Sequence, residues 1–228
     1  MNNVTHLNPN VTEAEWQMRK DLAACFRLVD LYGWSDLLAT HISARVPNAD
    51  DQFLINPFGM MYDEMTASSL VKVDEDGNEK TDSEFGINPA GFVIHSAVHM
   101  ARPEVACVIH THTKAGVGVA TQEQGLLPIT QQSLAVIAHA GYHDYEGIAG
   151  NTVAEAFMWM YRAERACRYQ LAFQQAGAKA TEISQEMQDV TIERNRKANS
   201  KDGYRPIGVK EWPALLRKLD RENPGYDH

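Results

Sequence analysis

The stretch from Val105 to Thr113 constrains the fold most strongly. It begins with small, β-branched or sulfur-containing apolar residues, which is typical of a buried strand, and becomes polar at His110. Side chains alternate between the two faces of a strand, so we expect His110 and His112 on one face, about 7 Å apart at ~3.3 Å of rise per residue. Two such imidazoles can share a divalent metal ion with a third protein ligand and an open position. The H-x-H spacing alone is a weak motif and leaves open a pair of solvated histidines.

Length and composition indicate one large soluble domain with a substantial core. The chain has 228 residues and a formal net charge of −9, which argues against a nucleic-acid partner because such partners require a clustered basic face. We expect no membrane association, since no apolar run approaches the ~20 residues of a membrane span and the first residues lack signal-peptide character. Cys25, Cys107 and Cys167 are widely spaced in apolar surroundings, which predicts reduced core thiols and a cytoplasmic location.

Local signals predict an alternation of helices and strands. Thr12 and Thr152 each begin a capping box, and Asn88-Pro89 is the start of a third helix. Asp74-Glu75-Asp76-Gly77-Asn78 predicts a hairpin turn between two short strands. The predicted segments are helices from Thr12 to Gly33, from Asn88 to Pro103, from Thr152 to Gly177 and from Glu211 to Glu222, and strands over Thr40–Arg45, Gln52–Asn56, Leu70–Val73 and part of Leu126–Ala138. We expect a loose arm over residues 1–11, a main domain over 12–180 and a helical extension over 181–228.

Three further histidines lie between residue 41 and the H-x-H pair. His95 and His99 are four residues apart and share a helix face, so either could supply a third metal ligand. The alternative, which we favour, is that they bond to a neighbouring element. His41, taken by itself, is interpreted as a structural histidine.

In this order, the motifs closely resemble the class II aldolase/adducin family. The resemblance implies an α/β fold with three α/β/α layers around a central, mostly antiparallel sheet, assembled as a homotetramer with active sites between subunits. The matching stretches are residues 40–45, 55–59, 88–99, 110–113, 142–147, 152 onward and 211–218.

The resemblance also implies a chemistry. Catalytic members bind zinc or a similar divalent ion through three histidines and cleave a carbon–carbon bond of a hydroxyl-carbonyl substrate, with the cation acting as a Lewis acid. His110 and His112 match two of the metal ligands. Asn56, Gly59 and Ser43 are the corresponding substrate-binding candidates.

The chain departs from the family pattern at three places. Gly91 stands where sugar-phosphate aldolases carry an acid/base glutamate, and Pro89 and Ala90 stand where paired serines hold the substrate phosphate. A helix and a strand that carry the third metal histidine are missing between Ala149 and Asn151. The sheet is therefore expected to close with one strand fewer, or the chain is a shortened form of a longer parent. The replacement candidates for the third ligand are His139, His143, His95 or a carboxylate.

These features lead to three hypotheses. The first is a divalent-metal-dependent lyase acting on a small hydroxy or oxo compound that lacks a phosphate anchor, with the acid/base role left to metal-bound water or an unassigned residue. The second is a non-catalytic assembly module of the adducin type. The third is an impaired, shortened relative.

Overall fold

The computed structural model of the protein describes residues 11–49, 51–140, 148–177 and 179–228. Within these ranges strands and helices are interspersed along the chain. The strands are β1 (His41–Arg45), β2 (Gln52–Ile55), β3 (Val71–Asp74), β4 (Cys107–His110) and β5 (Ile148–Gly150). The helices are α1 (Glu13–Leu31), α2 (Pro89–Ala101), α3 (Lys114–Ala120), α4 (Gln131–Ile137), α5 (Val153–Gln175), α6 (Gln185–Asn199) and α7 (Glu211–Glu222), with a 3₁₀ turn over Tyr62–Glu64.

The strands form one sheet in the order β3-β2-β1-β4-β5, and every neighbouring pair is antiparallel. Alternation along each strand gives the sheet two apolar faces. One face, with Ile42 and Leu54, packs against α1, α5 and α7 in the main core, and the other, with Phe53 and Val73, packs against Phe92 of α2. The predicted three-layer α/β/α arrangement with an antiparallel sheet is confirmed.

Side-chain caps fix the starts of the helices where the sequence predicts them. The Thr12 hydroxyl accepts a hydrogen bond from the Glu15 amide at 3.1 Å, and Thr152 accepts from the Glu155 amide at 3.0 Å. Asn88 caps α2 with Pro89 as its first residue. These caps satisfy amide groups that have no partner within the helix.

Two predicted strands are wrong. The segment Leu126–Ala138 contains helix α4, because Thr130 and Ser133 form a capping box and Leu134, Ala135 and Ala138 bury one helix face. After the turn at Asp74–Asn78 the chain makes a single bridge, Val73 to Glu79, instead of a second strand. The Asp74 carboxylate accepts hydrogen bonds from the amides of Asp76 and Asn78, which directs the backbone into a local turn.

The place where the sequence predicts a missing helix and strand, after Ala149, lies within strand β5. Its three residues pair with β4 in the register Cys107 to Gly150, Val108 to Ala149 and Ile109 to Ile148. A Cβ atom at Gly150 would lie 2.5 Å from the Ala156 amide nitrogen, so only glycine allows α5 to turn back this closely. The chain therefore pairs this side of β4 with a very short strand.

The C-terminal helix α7 contributes to the main core. Trp212 and Leu219 are buried in it, and the Trp212 indole donates a hydrogen bond to the Asp21 carboxylate at 2.9 Å. The Arg27 guanidinium donates to the carbonyls of Met65 and Pro224, which ties the chain end to α1. The division of the chain at residue 180 stays a prediction. None of the described helices combines the length and apolar character needed to cross a membrane.

Replacing Leu219 with Ala tests whether α7 belongs to this core. Leu219 is fully buried, so Leu219→Ala should lower the free energy of unfolding in urea by about 2–5 kcal/mol through lost burial and a residual cavity. The control is Arg217→Ala on the exposed face of α7, which should change it by no more than about 0.5 kcal/mol. Equal effects of the two substitutions would show that α7 is a separable extension.

Candidate active site

The pairing of β1 with β4 assembles a cluster of imidazoles on the α2 side of the sheet. His41 lies directly opposite His110 in the register, and Ser43 lies on the same face of β1 two residues further on. Helix α2 crosses this face and contributes His95 and His99, which its helical period places on one side. Residues from three elements therefore meet at one place, and β1 is distant in sequence from the other two, α2 and β4.

A continuous chain of hydrogen bonds runs through the inner half of the cluster. His41 Nδ1 lies 2.8 Å from His95 Nε2, and His95 Nδ1 lies 2.6 Å from Ser43 Oγ. Ser43 Oγ lies 2.7 Å from His99 Nε2, and His99 Nδ1 lies 3.4 Å from the Val105 carbonyl oxygen. We call this set, from His41 to the Val105 carbonyl, the histidine relay. It confirms that His95 and His99 bond to a neighbouring element.

The relay histidines are neutral in the folded protein. Burial, with the nearby rings of His110 and His112, lowers the pKa of His41 to about 4. Burial and the Arg45 guanidinium lower the pKa of His99 to about 4 as well. The pKa of His95 is lowered well below its usual range, again chiefly by burial. Each ring therefore carries one N–H group near neutral pH.

The predicted metal pair lies at the outer end of the cluster. His110 Nε2 and His112 Nε2 are 2.9 Å apart, and the His110 ring stacks on His41 with 4.8 Å between the ring centres. The Asp36 carboxylate accepts a hydrogen bond from His112 Nδ1 at 3.1 Å. A carboxylate behind a metal-binding histidine fixes its tautomer and directs the other nitrogen towards the metal.

A cavity of about 610 Å³ opens beside this pair. His112 is on its wall with more than a third of its side chain exposed, which gives small molecules a route to the pair. The walls combine the acidic and basic side chains of Asp36, Lys114, Glu164 and Arg168 with the apolar surfaces of Trp34, Ala115 and Leu171.

The donor atoms fit two ligands of a divalent metal site. The two Nε2 atoms lie 2.9 Å apart, close enough to bind one ion, and Asp36 supplies the supporting carboxylate. Within the described ranges no group of three or more His, Cys, Asp or Glu residues is arranged to hold a metal ion.

The three histidines considered as replacement ligands have different placements. His95 uses both ring nitrogens in the relay. His139 packs on Trp159 and bonds through Nδ1 to the Ala135 carbonyl, and His143 lies outside the described residues. None of the described candidates completes a set of three ligands, so the metal site at His110 and His112 stays a prediction.

The three substrate-binding candidates have different surroundings. Asn56 is buried at the end of β2, and its Oδ1 atom has no hydrogen-bond partner among the described residues. Gly59 lies under Phe85, whose ring would be 2.5 Å from an added Cβ atom. Ser43 is engaged by two histidines of the relay. Their roles in substrate binding stay predictions.

Sequence reasoning missed two members of the site. The alternation of Thr40–Arg45 predicts that His41 and Ser43 share one face of the strand. Nothing in the local pattern, however, predicts that β1 pairs with β4. Asp36 lies in the loop after α1, 76 positions before His112, and carries no local signal.

The comparisons with known proteins identify the family. The model of the class II aldolase and adducin N-terminal domain matches residues 20–149, more than half of the chain. A Pseudomonas aeruginosa protein with a provisional aldolase class 2 name is 47% identical, covering 95% of this chain and 94% of its own. The chain belongs to the class II aldolase/adducin family.

Two solved structures share the fold. The aldolase II superfamily protein from Pseudomonas syringae is 38% identical with a TM-score of 0.89, covering 96% of this chain and 98% of its own. The L-fuculose 1-phosphate aldolase from Glaciozyma antarctica is 24% identical with a TM-score of 0.80, covering 93% and 92%, which shows the fold alone.

The same family includes the adducins. Rat alpha-adducin is 35% identical over 94% of this chain, which corresponds to 34% of its own length. The alignment with the P. aeruginosa relative spans 249 positions, whereas this chain has 228 residues. The relative therefore carries residues within the aligned region that this chain lacks.

The buried neutral histidines predict acid sensitivity. An unfolded imidazole, with a pKa near 6.5, takes up a proton before His99 does in the folded state, where the pKa is about 4. Proton uptake by the unfolded chain then lowers stability as the pH falls from about 6.5 to about 4, and leaves it unaffected above that window. The free energy of unfolding in urea, measured across this range, should decline less steeply for His99→Gln than for the wild type. Parallel pH profiles would contradict this account.

Proposed function

We propose that the protein is a divalent-metal-dependent lyase that cleaves a carbon–carbon bond in a small hydroxy or oxo compound without a phosphate anchor. The observation that carries this proposal is the His110–His112 pair, whose Nε2 atoms lie 2.9 Å apart beside an open cavity. Membership of a family that contains class II aldolases supports the reaction type.

His110 and His112 would hold the cation, for which we propose zinc because imidazole nitrogen suits it. When bound, the ion supplies Lewis-acid polarisation of a substrate oxygen. Asp36 holds His112 with its Nδ1–H group directed at the carboxylate, so that the Nε2 lone pair faces the site.

The surroundings of the site support a substrate without phosphate. Pro89 and Ala90 at the start of α2 offer no hydroxyl group, and Pro89 also lacks an amide hydrogen. The cavity beside His112 carries Lys114 and Arg168, the second of which is paired with Glu164 at 2.6 Å. A small compound with hydroxyl, carbonyl or carboxylate oxygens fits this mixture of charges.

An assembly module of the adducin type is the second candidate function. Helix α2 exposes an apolar surface in which Val93 is 63% and Met100 is 59% exposed. Apolar surfaces of this kind commonly mark protein–protein contacts, and the similarity to alpha-adducin supports the same reading. A homotetramer is compatible with either function. We also propose a cytoplasmic location, which is supported by the buried thiols of Cys25 and Cys107, neither of which forms a disulfide among the described residues.

The metal content of purified, untagged protein tests the first proposal. We expect about one equivalent of zinc per chain in the wild type and loss of that metal in the His110→Ala/His112→Ala variant, because the two donor atoms are gone. Asp36→Asn should weaken zinc affinity by about 10–100-fold, since the supporting carboxylate is neutralised.

The control is His228→Ala, which removes an exposed histidine outside the cluster and should retain the metal. Equal metal content in the wild type and the double variant would reject the assigned ligands. A metal-loaded wild type should then release an aldehyde from an unphosphorylated hydroxy-carbonyl compound. A stable oligomer without metal or cleavage would instead support the assembly module, and broad, non-cooperative unfolding would indicate an impaired relative.

A further inference from the structure

We propose that Arg168 binds a carboxylate group of the substrate through its two terminal guanidinium nitrogens, which narrows the substrate class to hydroxy and oxo acids. Glu164 acts as a positioning residue that holds the guanidinium group of Arg168 at the cavity beside His112. The inference rests on the proposed function, because it names the substrate class of the same site.

A buried carboxylate connects this arginine to the H-x-H segment. The Glu164 side chain is only 3% exposed, and buried carboxylates in proteins are normally paired. Its Oε2 atom accepts a hydrogen bond from the Thr113 hydroxyl group at 2.6 Å, and its Oε1 atom accepts one from Arg168 Nε at 2.6 Å. Thr113 directly follows His112 and caps α3 by accepting from the Gly116 amide at 3.0 Å. Two hydrogen bonds therefore join Arg168 to the residue that follows the predicted metal pair.

The acidic side chains on the cavity wall are engaged, whereas the basic ones keep unused donors. Asp36 accepts a hydrogen bond from His112, and Glu164 accepts the two described above. Arg168 uses only Nε, so its two terminal nitrogens have no hydrogen-bond partner among the described residues. The Lys114 ammonium group, at the start of α3, also has no ion-pair partner in the part of the chain that the structure describes. An anion that enters the cavity therefore meets free N–H donors.

The hydrogen bond from Nε determines which part of the guanidinium group is free. The Nε side of the planar group faces Glu164, which leaves the edge formed by the two terminal nitrogens. That edge matches a carboxylate, to which it can donate two parallel hydrogen bonds. The Arg168 side chain is 60% exposed, so a ligand can reach this edge. Because Glu164 already holds the group, less conformational freedom is lost when the ligand binds.

The charges on the wall favour a carboxylate over a phosphate group. Two acidic and two basic side chains line the cavity, so the wall has no excess of positive charge to attract a doubly charged anion. A singly charged carboxylate requires only the free edge of Arg168. The apolar surfaces of Trp34 and Leu171 line the same cavity and suit the carbon atoms of a small acid.

Calorimetric titration of glycolate, the smallest 2-hydroxy acid, into the full chain as purified tests the carboxylate contact. The comparison compound is glycolamide, which keeps the hydroxyl group and the size of glycolate but replaces the carboxylate with a neutral amide. We expect glycolate to bind about tenfold more tightly than glycolamide, as for hydrogen bonds to a charged group. Equal affinity for the two compounds, or tighter binding of inorganic phosphate than of glycolate, would overturn the proposal.

Arg168→Gln is the matched variant, because its amide nitrogen can still donate to Glu164 from the position of Nε while the two terminal nitrogens are gone. Glycolate affinity should fall by about tenfold in this variant, to the level of glycolamide, and glycolamide affinity should stay unchanged. The control is Arg205→Gln, which removes one positive charge from an exposed ion pair with Glu211, outside the residues that line the cavity, and should leave glycolate affinity unchanged. Equal glycolate affinity in Arg168→Gln and wild type would overturn the contact.

Glu164→Gln tests the positioning role. Since Glu164 acts through Arg168, this substitution should weaken glycolate binding in the wild type and have no further effect in the Arg168→Gln background. A loss of affinity of the same size in both backgrounds would show a general structural role and would overturn the assignment of Glu164 as a positioning residue.

The zinc content of the same samples separates this inference from the proposed function. Metal-free wild type whose glycolate binding still depends on Arg168 would reject the proposed metal site and support the carboxylate contact. Zinc retained at His110 and His112, together with glycolate binding that Arg168→Gln does not change, would reject the contact alone.

Discussion

Antiparallel pairing of β1 with β4 is the interaction on which the site depends. It sets His41 opposite His110 and positions Ser43 beneath α2, within reach of both histidines of that helix. Because side chains alternate along a strand, a slip of one residue in this register would send His41 and Ser43 into the apolar layer formed with α1 and α5. Burial of Ile42 and Ile109 on the opposite face therefore fixes the register of the polar face.

The imidazoles form a row with an acceptor at each end. At one end the Asp36 carboxylate accepts a hydrogen bond from His112 Nδ1, and at the other the Val105 carbonyl accepts one from His99 Nδ1. His110 lies between these ends, with its Nε2 atom 2.9 Å from His112 Nε2 and its ring stacked on His41. Burial keeps His41, His95 and His99 neutral, so these rings carry no positive charge that would repel a cation beside them.

Most of the scaffold was predictable from the sequence because its determinants are local. Caps at Thr12, Asn88 and Thr152 and the alternation of His41–Arg45 each act over a few residues. The segment Leu126–Ala138 was predicted to include a strand because of its apolar content. It forms a helix instead, since the Thr130–Ser133 capping box stabilises a helix start.

The site was only half predictable. The H-x-H pair is contiguous in sequence, but Asp36, His41 and the two α2 histidines become neighbours through packing of distant elements. The residues around the predicted gap illustrate the same limit, since the pairing of β5 with β4 depends on contacts between residues 39 to 43 positions apart.

X-ray absorption at the zinc edge of zinc-supplemented protein tests the central claim most directly, namely that the lone pairs of His110 and His112 converge on one cation. The account predicts at least two imidazole nitrogens at about 2.0–2.1 Å from zinc. It also predicts that both are lost in the His110→Ala/His112→Ala variant. A coordination shell made of oxygen alone, or an unchanged shell in that variant, would contradict it.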